Sequence, residues 1–304
     1  MADVFVNEYG YIWNSKDYIV PQSCFMDELS ANARRSMALP VEAQSYEKVF
    51  VMAQSHGNSY FHFVIEDLPR ITLMLNILRE NADILIAVNA PDPSNEYRKT
   101  YMTEFVELLG IDKGRLLFLD QEIHADVAIL PTSTPCGMPN TQMVNMLRHT
   151  LLQAIYPSTG GIPPAVSRPV IVLIVRSSKR LLRNNRQVRN ALKRGFPGHE
   201  VIEFFGTENV QAQLQTFATA SVIVAPHDAG LSNMIVSPLH TPVLEIGPPG
   251  CPFCFVQLAV KLQHIYVRHP ATRDWEQSCE SKYEPKPDEV YRLVKRPIGG
   301  ETAG

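Results

Sequence analysis

The chain lacks the features that mark secreted and membrane-spanning proteins. Its 304 residues include five cysteines and two tryptophans, and no 18 apolar residues follow one another, so no transmembrane helix is predicted. Residues 1–20 carry acidic and polar side chains where a signal peptide has a basic start and an apolar run, and there is no Asn-x-Ser/Thr sequon. These absences predict a cytoplasmic protein without a membrane anchor, although loss of an N-terminal segment would give the same pattern.

An excess of basic residues is also missing. Lys and Arg total 28 against 31 for Asp and Glu, which gives a formal net charge of -3. A chain of this charge is not drawn as a whole to nucleic acid or to an anionic membrane. With 45% hydrophobic residues, the chain is long enough for two cores of roughly 150 residues each. Any anion-binding site is therefore expected to be local.

The cysteines include a single C-x-x-C pair, Cys251 and Cys254. This pair is half of a zinc site or a redox pair in some proteins, but a structural zinc needs two further ligands at short spacing. His264 and His269 are awkwardly separated for that role. The odd number of cysteines and the usual burial of free thiols favour two packed, reduced cysteines.

The arrangement of strands and helices predicts two α/β domains. A segment rich in Pro, Gly and Ser at 156–169 separates two halves, in each of which apolar strand patterns alternate with helical ones. We predict two Rossmann-like domains, 1–160 and 161–275, facing a central cleft. A polar tail, 276–304, follows, and it either packs back on the first domain or makes no contact with it. Trp275, just before the tail, and Tyr283 within it are isolated anchors. Sheets of this type bind ligands at the carboxyl ends of their strands.

The second half contains a buried strand, a tight turn and a helix start at 221–236. Backbone N–H groups and the positive end of the helix dipole suit such a turn to phosphate, with His227 at the strand tip. Many α/β proteins have a polar turn of this kind without a ligand.

Basic residues follow the first strand of that half. Residues 176–194 contain eight basic side chains and no acidic one, and Arg176 stands at the strand end, where its guanidinium can pair with phosphate oxygens. For the later members a solvated helix face is favoured: Arg186, Arg189, Lys193 and Arg194.

The first half contains a dense polar segment, 55–70, beside an apolar helix pattern. His62 and Glu66 are four residues apart and share a helix face, and Asp67 is adjacent. Such a group suits a cleft wall that supplies a general base. Helix capping and surface ion pairs are the alternative.

Taken together, these segments resemble the family-61 glycosyltransferases. The motifs are His-Phe-x-x-Glu-Asp-Leu-Pro-Arg at 62–70 and Ala-Pro-His-Asp-Ala-Gly-Leu-Ser-Asn-Met at 225–234, followed by Val-Leu-Glu-Ile at 243–246. Arg176 matches an Arg of the family pattern, and Asn184 or Asn185 matches an Asn that follows it. The resemblance implies a GT-B-like enzyme that transfers a sugar, with inversion, from a nucleotide diphosphate donor to a hydroxyl of a glycan or surface polysaccharide.

The family's donors make xylose or another pentose the favoured sugar and N-acetylglucosamine the next, carried on UDP. Enzymes of this type usually need no catalytic metal, and no D-x-D pair stands in the expected place. We therefore predict no metal and no cofactor besides the nucleotide-sugar substrate. The sequence allows a homodimer.

The roles follow from this resemblance and from the residue chemistry. Asp67 is the expected general base, with Glu66 as its alternate, and His62 orients that carboxylate or contacts the acceptor. The acceptor-binding residues are His56, Asn58 and Arg70. Glu245 is assigned to the donor ribose. The full donor-binding set is Arg176, Arg180, Asn184, Asn185, His227, Ala229, Gly230, Leu231, Ser232, Asn233 and Glu245. Packing or capping is the alternative role of each.

One residue departs from the family pattern, because Asp228 stands where a glycine is usual. Its charge repels a diphosphate unless the side chain turns away or caps the following helix. A non-catalytic family member is therefore an open alternative. So is a nucleotide- or nucleic-acid-binding protein that uses residues 176–194, although that segment lacks interleaved aromatic residues. A sugar epimerase is disfavoured because no G-x-G-x-x-G follows a first strand.

Overall fold

The computed structural model describes residues 1–24, 42–91, 96–248, 250–269 and 278–298. It divides the chain into two compact units, 1–150 and 151–304. Each unit is an α/β structure, as the alternating patterns predict. The predicted boundary at 275 and the predicted anchor Trp275 lie outside the described residues.

The first unit contains a seven-stranded sheet with the order β3-β2-β1-β7-β4-β5-β6. Strands β7, β4, β5 and β6 run parallel, and β1 joins β7 in the antiparallel direction. The strands are β1 (Ala2–Val6), β2 (Ile12–Trp13), β3 (Tyr18–Ile19), β4 (Gln44–Val51), β5 (Leu85–Asn89), β6 (Leu116–Leu119) and β7 (Ile123–Ile129). The helices are α1 (Tyr60–His62), α2 (Leu68–Glu80), α3 (Glu96–Leu108) and α4 (Thr141–Ile155), the last of which runs into the second unit.

The order of this sheet creates a switch point between β4 and β7. The chain moves from β4 outward to β5 and β6 and then returns to pair β7 with the other side of β4. In open α/β sheets the loops at such a reversal part above the carboxyl ends of the two strands and leave room for a ligand. The segments after Val51 and Ile129 therefore define the place where a site is expected in this unit.

The second unit contains a five-stranded parallel sheet with the order β12-β11-β10-β8-β9. All five residues of β8 are buried, as expected for a parallel strand covered on both faces. The order in which strands are added reverses between β8 and β10, because β9 lies on one side of β8 and β10 on the other. The strands are β8 (Val170–Ile174), β9 (Glu200–Phe204), β10 (Ala220–Pro226), β11 (Pro242–Ile246) and β12 (Ile265–His269), and the α-helices are α5 (Asn185–Gly195), α6 (Val210–Ala218), α7 (Cys254–Lys261) and α8 (Pro287–Ile298).

The described part of the tail belongs to the core of this second unit. Tyr283, Val290 and Val294 are buried together with residues of β8, β10 and α5. This corrects the expectation that the tail packs on the first domain or hangs free. The reason is the apolar face of α8, which removes its Val side chains from water against the sheet.

Two predicted helices have a different hydrogen-bond pattern from the one expected. The helix predicted over 60–80 contains a π-helical turn, Phe63–Asp67, between α1 and α2, and residues 229–236 form a 3₁₀ helix. Pro69 has no N–H to bond the carbonyl four residues earlier, and the N–H of Leu68 bonds the carbonyl of Phe63 instead. Single π-helical turns are frequent at functional sites.

The cysteines correct a second expectation. Cys24 bonds Cys136 and Cys251 bonds Cys279, while Cys254 is outside both disulfides. The C-x-x-C pair is thus not two reduced thiols, and the cysteine argument for a reducing compartment no longer holds. Within the described ranges, no helix combines the length and the apolar character needed to cross a bilayer.

Candidate functional site

Glu66 lies at the switch point of the first sheet. Its carboxylate is fully buried and accepts hydrogen bonds from Gln54 Nε2 at 3.1 Å and from the backbone N–H of Gly137 at 2.7 Å. Gln54 follows β4 and Gly137 follows β7, so both loops of the switch point converge on one side chain. A buried carboxylate with hydrogen-bond donors on both oxygens is held rigidly, and these bonds offset the cost of removing its charge from water.

His62 is the more accessible partner of Glu66. Its Nδ1 lies 2.8 Å from Glu66 Oε2, and 18% of its side chain is exposed. The exposed ring of His56 stacks on it at 5.7 Å between centroids. Partial burial and the neighbouring His62 charge lower the pKa of His56. Because Glu66 engages Nδ1, Nε2 is the ring nitrogen left for an acceptor group.

His56 has an unusual backbone conformation, with φ of +63°. This left-handed region is strained for residues other than glycine, and such strain collects at functional sites. His56 is predicted to bind the acceptor because of its sequence neighbours, and its strained backbone independently favours a functional role.

Asp67 is a poorer base than the sequence suggested. It is 2% exposed, and its Oδ1 lies 3.5 Å from Arg70 Nη1 without a hydrogen-bond partner in the described structure. Burial raises the pKa of Asp67 well above its usual range, a rise that the Arg70 charge opposes and Glu66 increases. The side chain faces the interior, so the general-base role of Asp67 stays a prediction and the more accessible His62 is the stronger candidate.

Arg70 is also placed in the core rather than on an acceptor surface. It is fully buried, and its guanidinium donates to the carbonyls of Val51 at 2.7 Å and Met52 at 2.8 Å. Val51 is the last residue of β4 and Met52 follows it, so Arg70 connects α2 to the carboxyl end of β4 by hydrogen bonds. Asn58 is half-buried, and its backbone carbonyl accepts the Tyr101 hydroxyl at 2.9 Å.

In the second unit, Arg176 and Asp228 meet at the reversal between β8 and β10. Arg176 Nη1 forms an ion pair with Asp228 Oδ2, and the other carboxylate oxygen accepts the N–H of Gly230 at 2.6 Å. Asp228 therefore caps the 3₁₀ helix. The N–H of Leu231 bonds the Asp228 carbonyl at 3.0 Å, so two amides expected to face phosphate already have partners within the chain. Ala229 and Gly230 themselves are half-buried.

The basic loop after β8 meets the C-terminal tail. Lys179 Nζ lies 3.1 Å from Glu280 Oε2, and Arg180 Nε lies 3.6 Å from Glu280 Oε1. Arg180 has φ of +60°. Farther along, Arg189 pairs with Glu203 at 2.7 Å, whereas Arg186, Lys193 and Arg194 are exposed. The helical part of the basic segment is thus mainly a solvated face.

Glu245, for which a ribose contact is predicted, lies in a buried hydrogen-bonded group. It is fully buried, with Oε1 2.5 Å from His227 Nδ1, and it accepts the Tyr266 hydroxyl. Arg268 Nη2 lies 3.9 Å away. His227 is also buried and packs against the Phe255 ring at 4.9 Å. This group is built into the sheet edge and does not present Glu245 to a ligand.

The remaining predicted donor residues are used in packing. Leu231, Ser232 and Asn233 are fully buried, which places them under the turn rather than on its surface. Asn184 donates to the carbonyl of Pro285 at 2.7 Å, and Asn185 donates to Glu203 Oε1 at 3.0 Å. Asn184 Oδ1, Asn185 Oδ1 and Ser232 Oγ are buried without a hydrogen-bond partner in the described structure. The donor roles of these five residues stay predictions.

Two groups have a metal-like composition, His62 with Cys24 and Cys136, and His227 with Cys251 and Cys279. In each, the candidate ligand atoms lie within 4.8 Å of one another. The cysteine sulfurs of both groups are joined in disulfides and do not offer the thiolates that zinc requires.

Four residues of these sites were missed from the sequence. Gln54 lies three residues after the end of β4, where polar side chains are found at the ligand-binding edge of a parallel sheet. Gly137, Tyr266 and Glu280 carry no such local signal, because they reach the sites from distant parts of the chain.

Two solved structures share a broad likeness with the chain. The ADP-heptose lipopolysaccharide heptosyltransferase II of E. coli is 8% identical, with a TM-score of 0.42 over 84% of this chain and 100% of its own. The family 9 glycosyl transferase of Veillonella parvula is 10% identical, with a TM-score of 0.42 over 86% and 99%. No curated protein is significantly similar in sequence.

The model of the glycosyltransferase 61 family matches residues 60–244. This stretch contains the His62–Glu66 pair of the first unit and the Arg176–Asp228 pair of the second. It covers more than half of the chain, and both motifs that the sequence singled out lie within it. The chain therefore belongs to the glycosyltransferase 61 family and is a glycosyltransferase.

Proposed function

We propose that this enzyme transfers a sugar with inversion from a nucleoside diphosphate donor to a hydroxyl of a glycan or polysaccharide. The favoured donor is a UDP-pentose such as UDP-xylose, followed by UDP-N-acetylglucosamine. The observation that carries the proposal is the His62–Glu66 pair, because it supplies an oriented base at the carboxyl edge of the first sheet.

His62 is the general base of this mechanism. The acceptor hydroxyl gives its proton to Nε2 while its oxygen attacks the anomeric carbon and the bond to the diphosphate breaks on the opposite face. Glu66 holds Nδ1, fixes the tautomer and stabilises the imidazolium that forms, as a carboxylate does in other His-based sites. Glu66 is thus a positioning residue. His56, stacked on His62, is placed to contact the acceptor.

The leaving diphosphate is bound at the β8–β10 reversal. Negative charge grows on it as the sugar leaves, and preorganised cations stabilise such charge best. Arg176, Lys179 and Arg180 lie together there on the loop after β8. These cations support transfer without an essential metal ion, since they supply the charge that a divalent ion supplies elsewhere.

The first test is a thermal-shift screen of UDP, GDP, CMP and dTDP and their sugars, with and without EDTA. A ligand at 100 times its dissociation constant stabilises the folded state by about 2.7 kcal/mol. We expect UDP and a UDP-pentose to raise the melting temperature equally with EDTA present. No shift with any nucleotide would contradict the donor assignment, and a shift lost in EDTA would contradict metal independence.

The second test measures UDP release from the donor that binds. His62→Gln is expected to lower the turnover by about 10²-fold or more with an unchanged dissociation constant for UDP. His124→Gln is a matched control, because His124 has 19% side-chain exposure and pairs with the surface residue Asp3 at 2.9 Å. Turnover that survives in His62→Gln would contradict the base assignment.

A further inference from the structure

Three cations on the loop after β8 are already paired with carboxylates from elsewhere in the second unit. Arg176 pairs with Asp228, and Glu280 receives both Lys179 and Arg180. The two carboxylates reach this loop from different elements, one from the end of β10 and one from the C-terminal tail. The cations expected to bind a diphosphate are therefore not free in this state.

Asp228 makes the two contacts that a phosphate oxygen makes at such a turn. One of its oxygens meets the Arg176 guanidinium and the other accepts the Gly230 N–H at 2.6 Å. Carboxylate and phosphate oxygens accept the same charged and backbone donors. A side chain at position 230 would disturb this contact, since an added Cβ would lie 2.8 Å from Asp228 Oδ1 and 3.2 Å from Phe204 Cε1.

Glu280 is brought to the loop by a tail segment that is fixed at several points. Cys279 is bonded to Cys251, the N–H of Tyr283 donates to the Leu181 carbonyl at 2.9 Å, and Asn184 holds the Pro285 carbonyl. The hydrogen bond from Lys179 and the charges of Arg180 and Arg176 hold the pKa of Glu280 below its usual value. Glu280 is thus a fixed anion, and the buried Nε of Arg180 still has no hydrogen-bond partner within the described structure.

We propose that Asp228 and Glu280 lower the affinity of this site for the diphosphate of the donor by occupying, as internal anions, the positions at which that diphosphate binds. This inference rests on the proposed nucleoside diphosphate donor. Because the two carboxylates occupy the contacts of Arg176, Lys179 and Arg180, an incoming diphosphate must displace both of them to bind these three cations. After transfer, the same carboxylates recapture the cations and favour release of the free nucleoside diphosphate.

The test is calorimetric binding of inorganic pyrophosphate and of UDP to Asp228→Asn, Glu280→Gln and the double variant at low ionic strength. Asparagine keeps an oxygen that accepts the Gly230 N–H, so the helix cap is retained. Each single variant is expected to bind pyrophosphate about tenfold more tightly than the wild type, and the double variant more tightly still. Added salt should shrink the difference, because screening weakens partly exposed charges.

Glu200→Gln is the matched control, since it removes the same charge from an exposed position at the start of β9. The parallel strands begin at that end of the sheet, whereas the basic loop follows their carboxyl ends. Variants that bind pyrophosphate no better than this control would overturn the inference, and UDP binding by the wild type would then leave the proposed donor standing. Tighter pyrophosphate binding with no UDP binding by any form would support the internal anions and contradict the nucleotide donor. Failure of every form to bind either ligand would overturn both.

Discussion

The backbone N–H of Gly137 donates to Oε1 of Glu66 at 2.7 Å, across 71 residues of sequence. This bond joins the loop after β7 to the helix that follows β4, at the reversal of the first sheet. Gly137 has φ of +68°, which glycine adopts without strain. Its neighbour Cys136 is bonded to Cys24, so the loop that orients Glu66 is also held covalently. The His62–Glu66 pair therefore has a rigid support, as a preorganised catalytic group requires.

Glu66→Gln should lower the turnover by about 10²-fold or more while it leaves UDP affinity unchanged. The amide cannot stabilise the imidazolium that forms on His62. Because a positioning role changes proton transfer, the pH dependence of the turnover should also change, which a folding defect would not produce. Glu107→Gln, whose carboxylate pairs with exposed Lys113 at 3.0 Å, is the control. An unaltered pH profile in Glu66→Gln would argue against the positioning role.

Arg70→Met should lower the free energy of unfolding by about 2–4 kcal/mol, measured by urea denaturation. The substitution leaves the carbonyls of Val51 and Met52 buried without their donor and removes the positive charge that lies 3.5 Å from the Asp67 carboxyl. Arg194→Met, at an exposed position on α5, should change stability by less than about 0.5 kcal/mol. Equal stability of the two variants would contradict the structural role given to Arg70.

Asp67→Asn should become more stable relative to the wild type as the pH rises from 4 to 8. The pKa of Asp67 is raised in the folded state above that in the unfolded chain, where it is about 3.9. Between these two pKa values only the folded state holds the proton, so wild-type stability falls as the pH rises through that window. The asparagine variant lacks this loss. The test is the melting temperature of both proteins at each pH between 4 and 8. Parallel curves of melting temperature against pH would contradict a raised pKa of Asp67 in the folded state.

Replacing Cys251 and Cys279 together by Ser should destabilise the protein by about 3.5 kcal/mol, since the disulfide closes a separation of 28 residues. The same loss should free Glu280 and raise the affinity for pyrophosphate. Cys254→Ser, outside both disulfides, is the control and should change neither quantity. A melting temperature that reductant does not lower in the wild type would contradict this bond.

The local patterns of the sequence predicted the five strands of the second sheet and the four strands of the first sheet that follow residue 42. Strands such as Val170–Ile174 and Pro242–Ile246 are short apolar runs bounded by polar turns, and their burial follows from composition alone. The strands in residues 2–19 were not predicted. β2 and β3 have two residues each, too few for a periodic pattern, and the five-residue β1 has only two buried side chains although it pairs with β2 and β7.

The site was predicted in part. His62, Glu66, Arg176 and His227 lie at the strand ends where the motifs placed them, since a motif after a parallel strand has to reach that edge. The depth of burial was not predicted. Asp67, Arg70 and Glu245 face the interior, whereas the side chain of His62 is partly exposed to solvent. Helix periodicity places residues on a face but does not say how deeply that face is covered.

The sequence by itself determined the α/β class, the alternation of elements and the membership of the two motifs in one family. The class and the alternation depend on short-range patterns of apolar and polar residues, whereas the family follows from the resemblance of the motifs at 62–70 and 225–234. The tertiary structure alone decided the two disulfides, the pairing of Arg176 with Asp228 and the approach of Glu280 to the basic loop. These contacts join residues 28 to 112 positions apart, and such pairings are fixed by the packing of whole elements, which no local pattern encodes.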